Sequence, residues 1–155
     1  MIQLYYGDGK GKTTAALGQL LRMSGWGEKT VFCQFMKGND TGELHSLAQL
    51  KGVRILRSEK NFGFYSSMSE EEKKELTEIH NRLLAELLDI QKEGSAAMIV
   101  LDEITYPVNY GLIDQEKLQL FLKKAGEKKD QEVILTGRDP ADFLRESADY
   151  ITEMK

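Results

Sequence analysis

Cysteine is nearly missing from this sequence. Cys33 is the single one among 155 residues, which excludes an internal disulfide and any metal centre built on several thiolates, and points to a reducing compartment. It sits in the apolar run Val31-Phe32-Cys33 and is expected to be a small buried side chain rather than a nucleophile. Proline is scarce too, at two residues, and there is no internal repeat or low-complexity tract, so disorder and fibrous architectures are excluded. No apolar run nears the ~20 residues needed to cross a bilayer, and no basic stretch followed by an apolar segment resembles a signal peptide. A soluble cytoplasmic protein without a membrane partner is the expectation. Positive charge is not in excess either: 21 Lys and Arg stand against 25 Asp and Glu, a net charge of -4. Nucleic-acid binders gather basic residues on one face, so no nucleic-acid partner is expected. The pairs Lys123-Lys124 and Lys128-Lys129 read as solvated surface.

What is present is the composition of a globular protein, 41% hydrophobic and 30% charged, at a length that suits one domain spanning residues 1–155. Ile2-Gln3-Leu4-Tyr5-Tyr6 is branched and aromatic and stops at a glycine cluster, the pattern of a strand feeding a tight loop. A helix follows from Thr14 to Ser24, with Ala15, Ala16, Leu17, Leu20, Leu21 and Met23 on one broad face and Gly25 as its stop. Thr30 to Phe35 is a second strand, which completes a βαβ unit. Residues 43–50 have helical spacing and Val53 to Leu56 reads as a strand. Ser69 and Glu72 form a capping box ahead of the stripe Leu76, Ile79, Leu83, Leu84, Leu87 and Leu88, and Gly94 ends that helix. Ala97 to Leu101 is continuously apolar, as in a strand covered on both faces. Asp114 caps a helix to about Lys124, Val133 to Leu135 is a strand, Asp139-Pro140 opens a short helix, and Tyr150 to Thr152 is an edge strand. Alternating strands and helices predict a three-layer α/β fold, a mostly parallel sheet with helices on both faces.

The chemistry begins at Gly7-Asp8-Gly9-Lys10-Gly11-Lys12-Thr13-Thr14. A helix start presents unpaired N–H groups and partial positive charge, and glycines let the preceding loop turn its amides around an anion. Lys12 brings a mobile positive charge and the Thr13 hydroxyl a ligand for Mg2+. The usual spacing is G-x-x-x-x-G-K-[ST]. Here Tyr6 stands six positions before Lys12 and Gly7 one place later, so the loop is shortened and hydrolysis does not follow from it. Asp102-Glu103 ends the buried strand. Ligands of open α/β sheets gather at the carboxyl ends of strands, so these acids should face the loop and hold magnesium directly or through water. His80, on the capped helix, reads as a surface or boundary residue, neither His45 nor His80 has metal spacing, and Trp26 is expected to pack the end of the first helix.

The blocks Gly7 to Ala16, Gln34-Phe35-Met36-Lys37-Gly38, Phe62-Gly63-Phe64, Leu101 to Tyr106 and Thr136-Gly137-Arg138 stand in the order found in the P-loop ATP:corrinoid (cob(I)alamin) adenosyltransferase family, which the chain resembles over nearly its whole length. The resemblance implies transfer of the 5′-deoxyadenosyl group of ATP to the Co(I) centre of a corrinoid, with triphosphate released as one unit. It implies ATP and a reduced corrinoid as substrates, Mg2+ as cofactor, an electron-donating flavoprotein reductase as partner, and a homodimer. Because cobalt is the nucleophile, no serine, cysteine or general base is needed. Lys12, Glu103 and Phe64 are the implied catalytic residues. Gly7, Asp8, Gly9, Lys10, Gly11, Lys12, Thr13, Thr14 and Arg138 bind the nucleotide, and Thr13 with Glu103 holds the metal. Phe64 matches an aromatic that packs on the corrinoid and helps remove the lower cobalt ligand. A family tryptophan two places on is Ser66 here, beside Tyr65. Arg138 is placed to reach phosphate or corrinoid, or else to pair with Asp139 or Asp142. Against the family pattern the chain begins at its first strand and stops at Lys155, which implies either a more open site or a divergent member with a different corrinoid preference. On the residues alone a kinase or hydrolase also stays open, as does a nucleotide- or corrinoid-sensing module without catalysis.

Overall fold

The structure, a computed structural model, describes residues 1–155. Six strands, β1 (Ile2–Tyr6), β2 (Thr30–Gln34), β3 (Val53–Arg57), β4 (Met98–Asp102), β5 (Glu132–Gly137) and β6 (Tyr150–Glu153), form one sheet in the order β3-β2-β4-β5-β1-β6. Every pairing is parallel, so the mostly parallel expectation resolves to a wholly parallel sheet. All strands therefore point their carboxyl ends to one edge, where the loops that follow them meet.

Six helices, α1 (Lys12–Gly25), α2 (Gly42–Leu47), α3 (Glu70–Glu93), α4 (Thr105–Asn109), α5 (Gln115–Glu127) and α6 (Asp142–Ser147), surround the sheet. Successive strand residues face opposite sides, and the core divides accordingly. Met98 and Val100 join Ala16 and Leu20 of α1 and Leu47 of α2 on one face. Ile99 and Leu101 join Leu84 and Leu87 of α3 and Leu118 and Phe121 of α5 on the other. This is why β4, wholly buried, reads as an unbroken apolar run up to its last residue, Asp102. Each fully buried leucine contributes about 1.5–3 kcal/mol relative to exposure.

Local signals account for the helix limits. The Ser69 hydroxyl accepts from the Glu72 amide while the Glu72 carboxylate accepts from the Ser69 amide at 2.8 Å, and Gly94 ends α3 in the left-handed region at φ 64°. The Asp114 carboxylate accepts from the Lys117 amide at 3.1 Å to start α5. The short helix expected from Asp139-Pro140 begins later, at Asp142.

Two expectations are corrected. His80 is fully buried. Its ring lies edge-on to Phe35 at 5.4 Å between centroids, its Nε2 accepts from the Met36 amide at 3.2 Å, and its Nδ1 donates to the Leu112 carbonyl at 2.9 Å. Position 80 lies four residues from both Leu76 and Leu84, so it belongs to the buried stripe, and the two hydrogen bonds make a polar ring tolerable there. Trp26 does not pack the helix end. It is 87% exposed, because α1 stops at Gly25 and the turn through Gly27 carries the indole outward.

Candidate nucleotide and corrinoid site

The β1–α1 loop sits at the carboxyl edge. Gly7 at φ 117° and Gly11 at φ 102° adopt left-handed conformations that disfavour a side chain. Gly11 occupies the start of α1, and no side chain caps that helix. Its first N–H groups are left to the loop concavity, the arrangement that suits an anion. Lys12 Nζ donates to the carbonyls of Gly7 at 2.7 Å and Gly9 at 2.6 Å, so the ammonium already lies folded over the loop.

Behind the loop lies a hydrogen-bonded cluster around Asp102. Its carboxylate is buried, and Oδ1 accepts from the Thr13 hydroxyl at 2.8 Å and the Thr136 hydroxyl at 2.7 Å. Its Oδ2 accepts from Gln34 Nε2 at 3.1 Å. A buried carboxylate is tolerable only with such donors. Thr136 is on β5, the strand between β1 and β4, and so bridges the phosphate-loop side to the acid. Thr136 Oγ1 also accepts from the Glu103 amide at 3.0 Å. Sequence reasoning placed Thr13 and the acids together but passed over Gln34 and Thr136. Both stand inside the quoted motif blocks as polar residues in apolar strands, and that was the available signal.

Glu103 points elsewhere. Its backbone takes φ 61°, and its Oε1 pairs with Lys37 Nζ at 3.2 Å. Partial burial works against the Lys37 charge, but the carboxylates of Glu103 and Asp102 outweigh it, and the Lys37 pKa is raised above its ordinary value. Arg138 pairs with Asp8 at 3.5 Å rather than with Asp139 or Asp142, and its backbone amide donates to the Thr105 hydroxyl at 2.9 Å. That ion pair ties the loop after β5 to the glycine loop.

Glu103, next to Asp102 in the chain, and Lys37 line one wall of an open cavity of about 480 Å³. Four aromatic residues, Phe64, Tyr65, Tyr106 and Tyr110, line it further, along with Met36, Asn39 and Asn61. Tyr65 and Tyr110 stack at 4.1 Å with their planes 4° apart, and Lys73 lies over Tyr65 at 4.7 Å. The segment is pinned by Phe62, which is buried with Met68, Leu76 and Leu112. Two residues on, Phe64 is 85% exposed. A large aromatic presented to solvent beside a cavity is a contact surface for a flat apolar ligand. Burial, and then the nearby Glu103, push the Tyr106 phenol above its ordinary value.

A parallel sheet, a glycine loop opening α1, and a Thr-Asp pair behind it define a P-loop nucleotide-binding protein of the α/β class. A KaiC-like protein from Pyrococcus horikoshii OT3 has the same fold at a TM-score of 0.56, with 18% identity over 98% of this chain and 70% of that one. The chain belongs to the ATP:corrinoid adenosyltransferase family BtuR/CobO/CobP, whose family model matches residues 1–155. It is 31% identical over 155 residues to the corrinoid adenosyltransferase of Escherichia coli (strain K12), covering 100% of this chain and 76% of that relative. It is also 31% identical over 159 residues to corrinoid adenosyltransferase CobA of Salmonella typhimurium (strain LT2), with the same coverage.

Proposed function

We propose that the chain transfers the 5′-deoxyadenosyl group of ATP to the Co(I) centre of a corrinoid and releases intact triphosphate. The observation that carries this reading is one edge of the sheet: a lysine-bearing glycine loop bonds through Thr13 to the buried Asp102, and Glu103, the next residue, lines an aromatic-rich cavity that presents Phe64. In this reading the corrinoid is a substrate. Its cobalt electron pair forms the bond to the 5′ carbon as the bond from that carbon to the triphosphate oxygen breaks, and no protein nucleophile is required. The protein supplies position and charge. The loop amides at the start of α1 and Lys12 surround the leaving triphosphate, with Arg138 and Asp8 at the loop's rim. Lys12 exchanges its bonds to the Gly7 and Gly9 carbonyls for bonds to phosphate oxygens. Phe64 and the tyrosine bed hold the corrin ring, and Phe64 excludes the lower cobalt ligand.

The donor set around Asp102 fits magnesium. The Asp102 carboxylate and the Thr13 hydroxyl are hard oxygen ligands, and Gln34 Oε1, buried in the same cluster, has no partner within the protein and suits the water donors that a hydrated ion keeps. Thr13 and Asp102 would hold the ion, which supplies neutralisation of triphosphate charge. Glu103, engaged with Lys37, then serves the cavity wall and orients that lysine toward the substrate. We further propose that residues 1–155 work as one nucleotide-binding domain, that the protein is a cytoplasmic homodimer, and that a flavoprotein reductase delivers the electron to cobalt. No helix is long and apolar enough to cross a membrane.

The test is to incubate the protein with ATP, magnesium and chemically reduced cobalamin. Intact triphosphate with a light-sensitive alkylcobalamin is the expected result. Diphosphate and inorganic phosphate would replace this reading with a hydrolase, and unchanged ATP with retained binding would replace it with a sensing module.

A further inference from the structure

The glycine loop is bonded to the far end of the chain. β6 lies on the outer side of β1 in parallel register, Gln3 opposite Tyr150 and Tyr6 opposite Glu153. Its start is clamped by Asp149, whose amide donates to the Ile2 carbonyl at 2.8 Å and whose carboxylate accepts from the Ile2 amide at 2.7 Å. Beyond the strand the ladder continues into the loop. The Met154 amide donates to the Tyr6 carbonyl at 2.7 Å, and the Gly9 amide donates to the Met154 carbonyl at 2.8 Å. One of the loop's inward-capable N–H groups is therefore already spent on the protein itself.

Gly9 makes the point sharpest. Its backbone is not in the left-handed region, so conformation alone would allow any residue there. A β-carbon at this position would stand 2.6 Å from the Lys155 carbonyl oxygen and 2.8 Å from the carbonyl carbons of Met154 and Lys155. The Met154 main chain is held by its hydrogen bonds to Tyr6 and Gly9, so its carbonyl carbon cannot swing aside as a side chain can. At Gly7 a β-carbon would collide with the Met154 carbonyl as well, on top of an unfavourable φ of 117°. Gly11, by contrast, has only the Met154 sulfur nearby, at 3.9 Å. Two of the three loop glycines thus make room for a strap of the protein's own backbone.

We infer that Met154 and Lys155 form a strap that positions the phosphate loop, with Met154 a positioning residue and Gly9 a glycine because the strap crosses it. The strap fixes the loop's outer turn through the Gly9 amide and leaves the amides nearer α1 for the anion, which gives a loop one residue short a second support. The inference rests on reading the loop as a triphosphate site.

The test compares four forms of the protein: wild type, Gly9→Ala, deletion of Met154–Lys155, and the two changes combined. Calorimetric titration with MgATP and with inorganic tripolyphosphate reads the site. Hydrogen exchange at the Gly9 amide and the melting temperature read the strap without any ligand. In the otherwise intact chain, Gly9→Ala is expected to weaken tripolyphosphate binding about tenfold or more. In the deletion background, where the colliding atoms are gone, the same substitution should have no further effect. The deletion alone should speed exchange at Gly9 about tenfold or more and weaken binding, with little change in melting temperature. An equal loss from Gly9→Ala in both backgrounds would overturn the inference, since the glycine would then be serving the ligand. Unchanged Gly9 exchange after the deletion would overturn it too, even if Gly9→Ala does not fold. If wild type fails to bind tripolyphosphate, the proposed function falls, while the exchange measurement still decides the strap.

Discussion

His80 gives the protein a pH dependence that can be worked out in advance. Burial lowers its pKa from the ordinary 6.5 to about 4, against a smaller opposing effect of the bond to the Leu112 carbonyl. The folded protein therefore keeps the ring neutral over a range in which the unfolded chain protonates it. With the folded value depressed, the unfolded state binds more protons between pH 6.5 and 4, and stability falls as the pH is lowered through that window. At about 1.4 kcal/mol per pH unit, the full loss approaches about 3 kcal/mol, a large share of the 5–15 kcal/mol typical of a domain. The other groups with displaced pKa values do not compete. Lys37, Lys73, Tyr106 and Cys33 are raised from values of 9 or more, and Asp114 is lowered from 3.8, below the window. Urea unfolding at pH 7.5, 6.5, 5.5 and 4.5 should show wild type losing stability more steeply than His80→Gln, which offers a donor and an acceptor but takes up no proton. The difference should open below pH 6.5 and close to a plateau near pH 4. Parallel curves for the two proteins would refute the reasoning. The consequence reaches the site, because the ring accepts from the Met36 amide, whose residue has φ 64° and precedes Lys37.

Three further outcomes are expected. Asp102→Asn places one amide nitrogen against the donors from Thr13, Thr136 or Gln34 and forfeits at least one charge-assisted bond of about 1.5–3 kcal/mol; ATP affinity measured with magnesium should fall about tenfold or more, while affinity in chelator stays close to wild type, and an equal loss in both conditions would contradict the assignment. Lys12→Ala removes two bonds to loop carbonyls together with a charge, so tripolyphosphate binding should drop about tenfold or more, with a melting temperature near wild type because the loop lies at the surface; calorimetry with a thermal melt decides it. Phe64→Ala changes an exposed side chain and should alter stability by no more than about 0.5 kcal/mol. It should also slow adenosylation of cobalamin without weakening MgATP binding, and a loss of nucleotide affinity would place Phe64 elsewhere in the site.

Local order was legible from the residues because its causes are local. The capping box at Ser69 and Glu72, the left-handed glycine at 94, the apolar run of β4 and the glycine loop opening α1 each depend on neighbours within a few positions. The alternation of elements was enough for a layered α/β sheet, and the motif order was enough for the family. Which of two adjacent acids meets Thr13 was another matter. Asp102 and Glu103 are equivalent as letters, but Asp102 ends a strand separated from β1 only by β5, whose Thr136 completes the cluster, and Glu103 turns away at positive φ toward Lys37.

Arg138 found Asp8 instead of its sequence neighbours for the same reason, the convergence of strand ends at one edge. The burial of His80 was half visible, since the position falls on the leucine stripe, but the partners that make a buried imidazole acceptable come from residues 36 and 112. By itself, then, the sequence determined where the strands and the longer helices lie, the phosphate loop and the kinship of the chain, which follow from short-range periodicity and motif spacing; the short helix α4 at Thr105–Asn109 carried no such signal. Only the tertiary structure decided which acid faces the loop, which aromatic is offered to solvent, and why residue 9 must lack a side chain. Those outcomes depend on backbone brought together by strand order from opposite ends of the chain, and no local pattern encodes that distance.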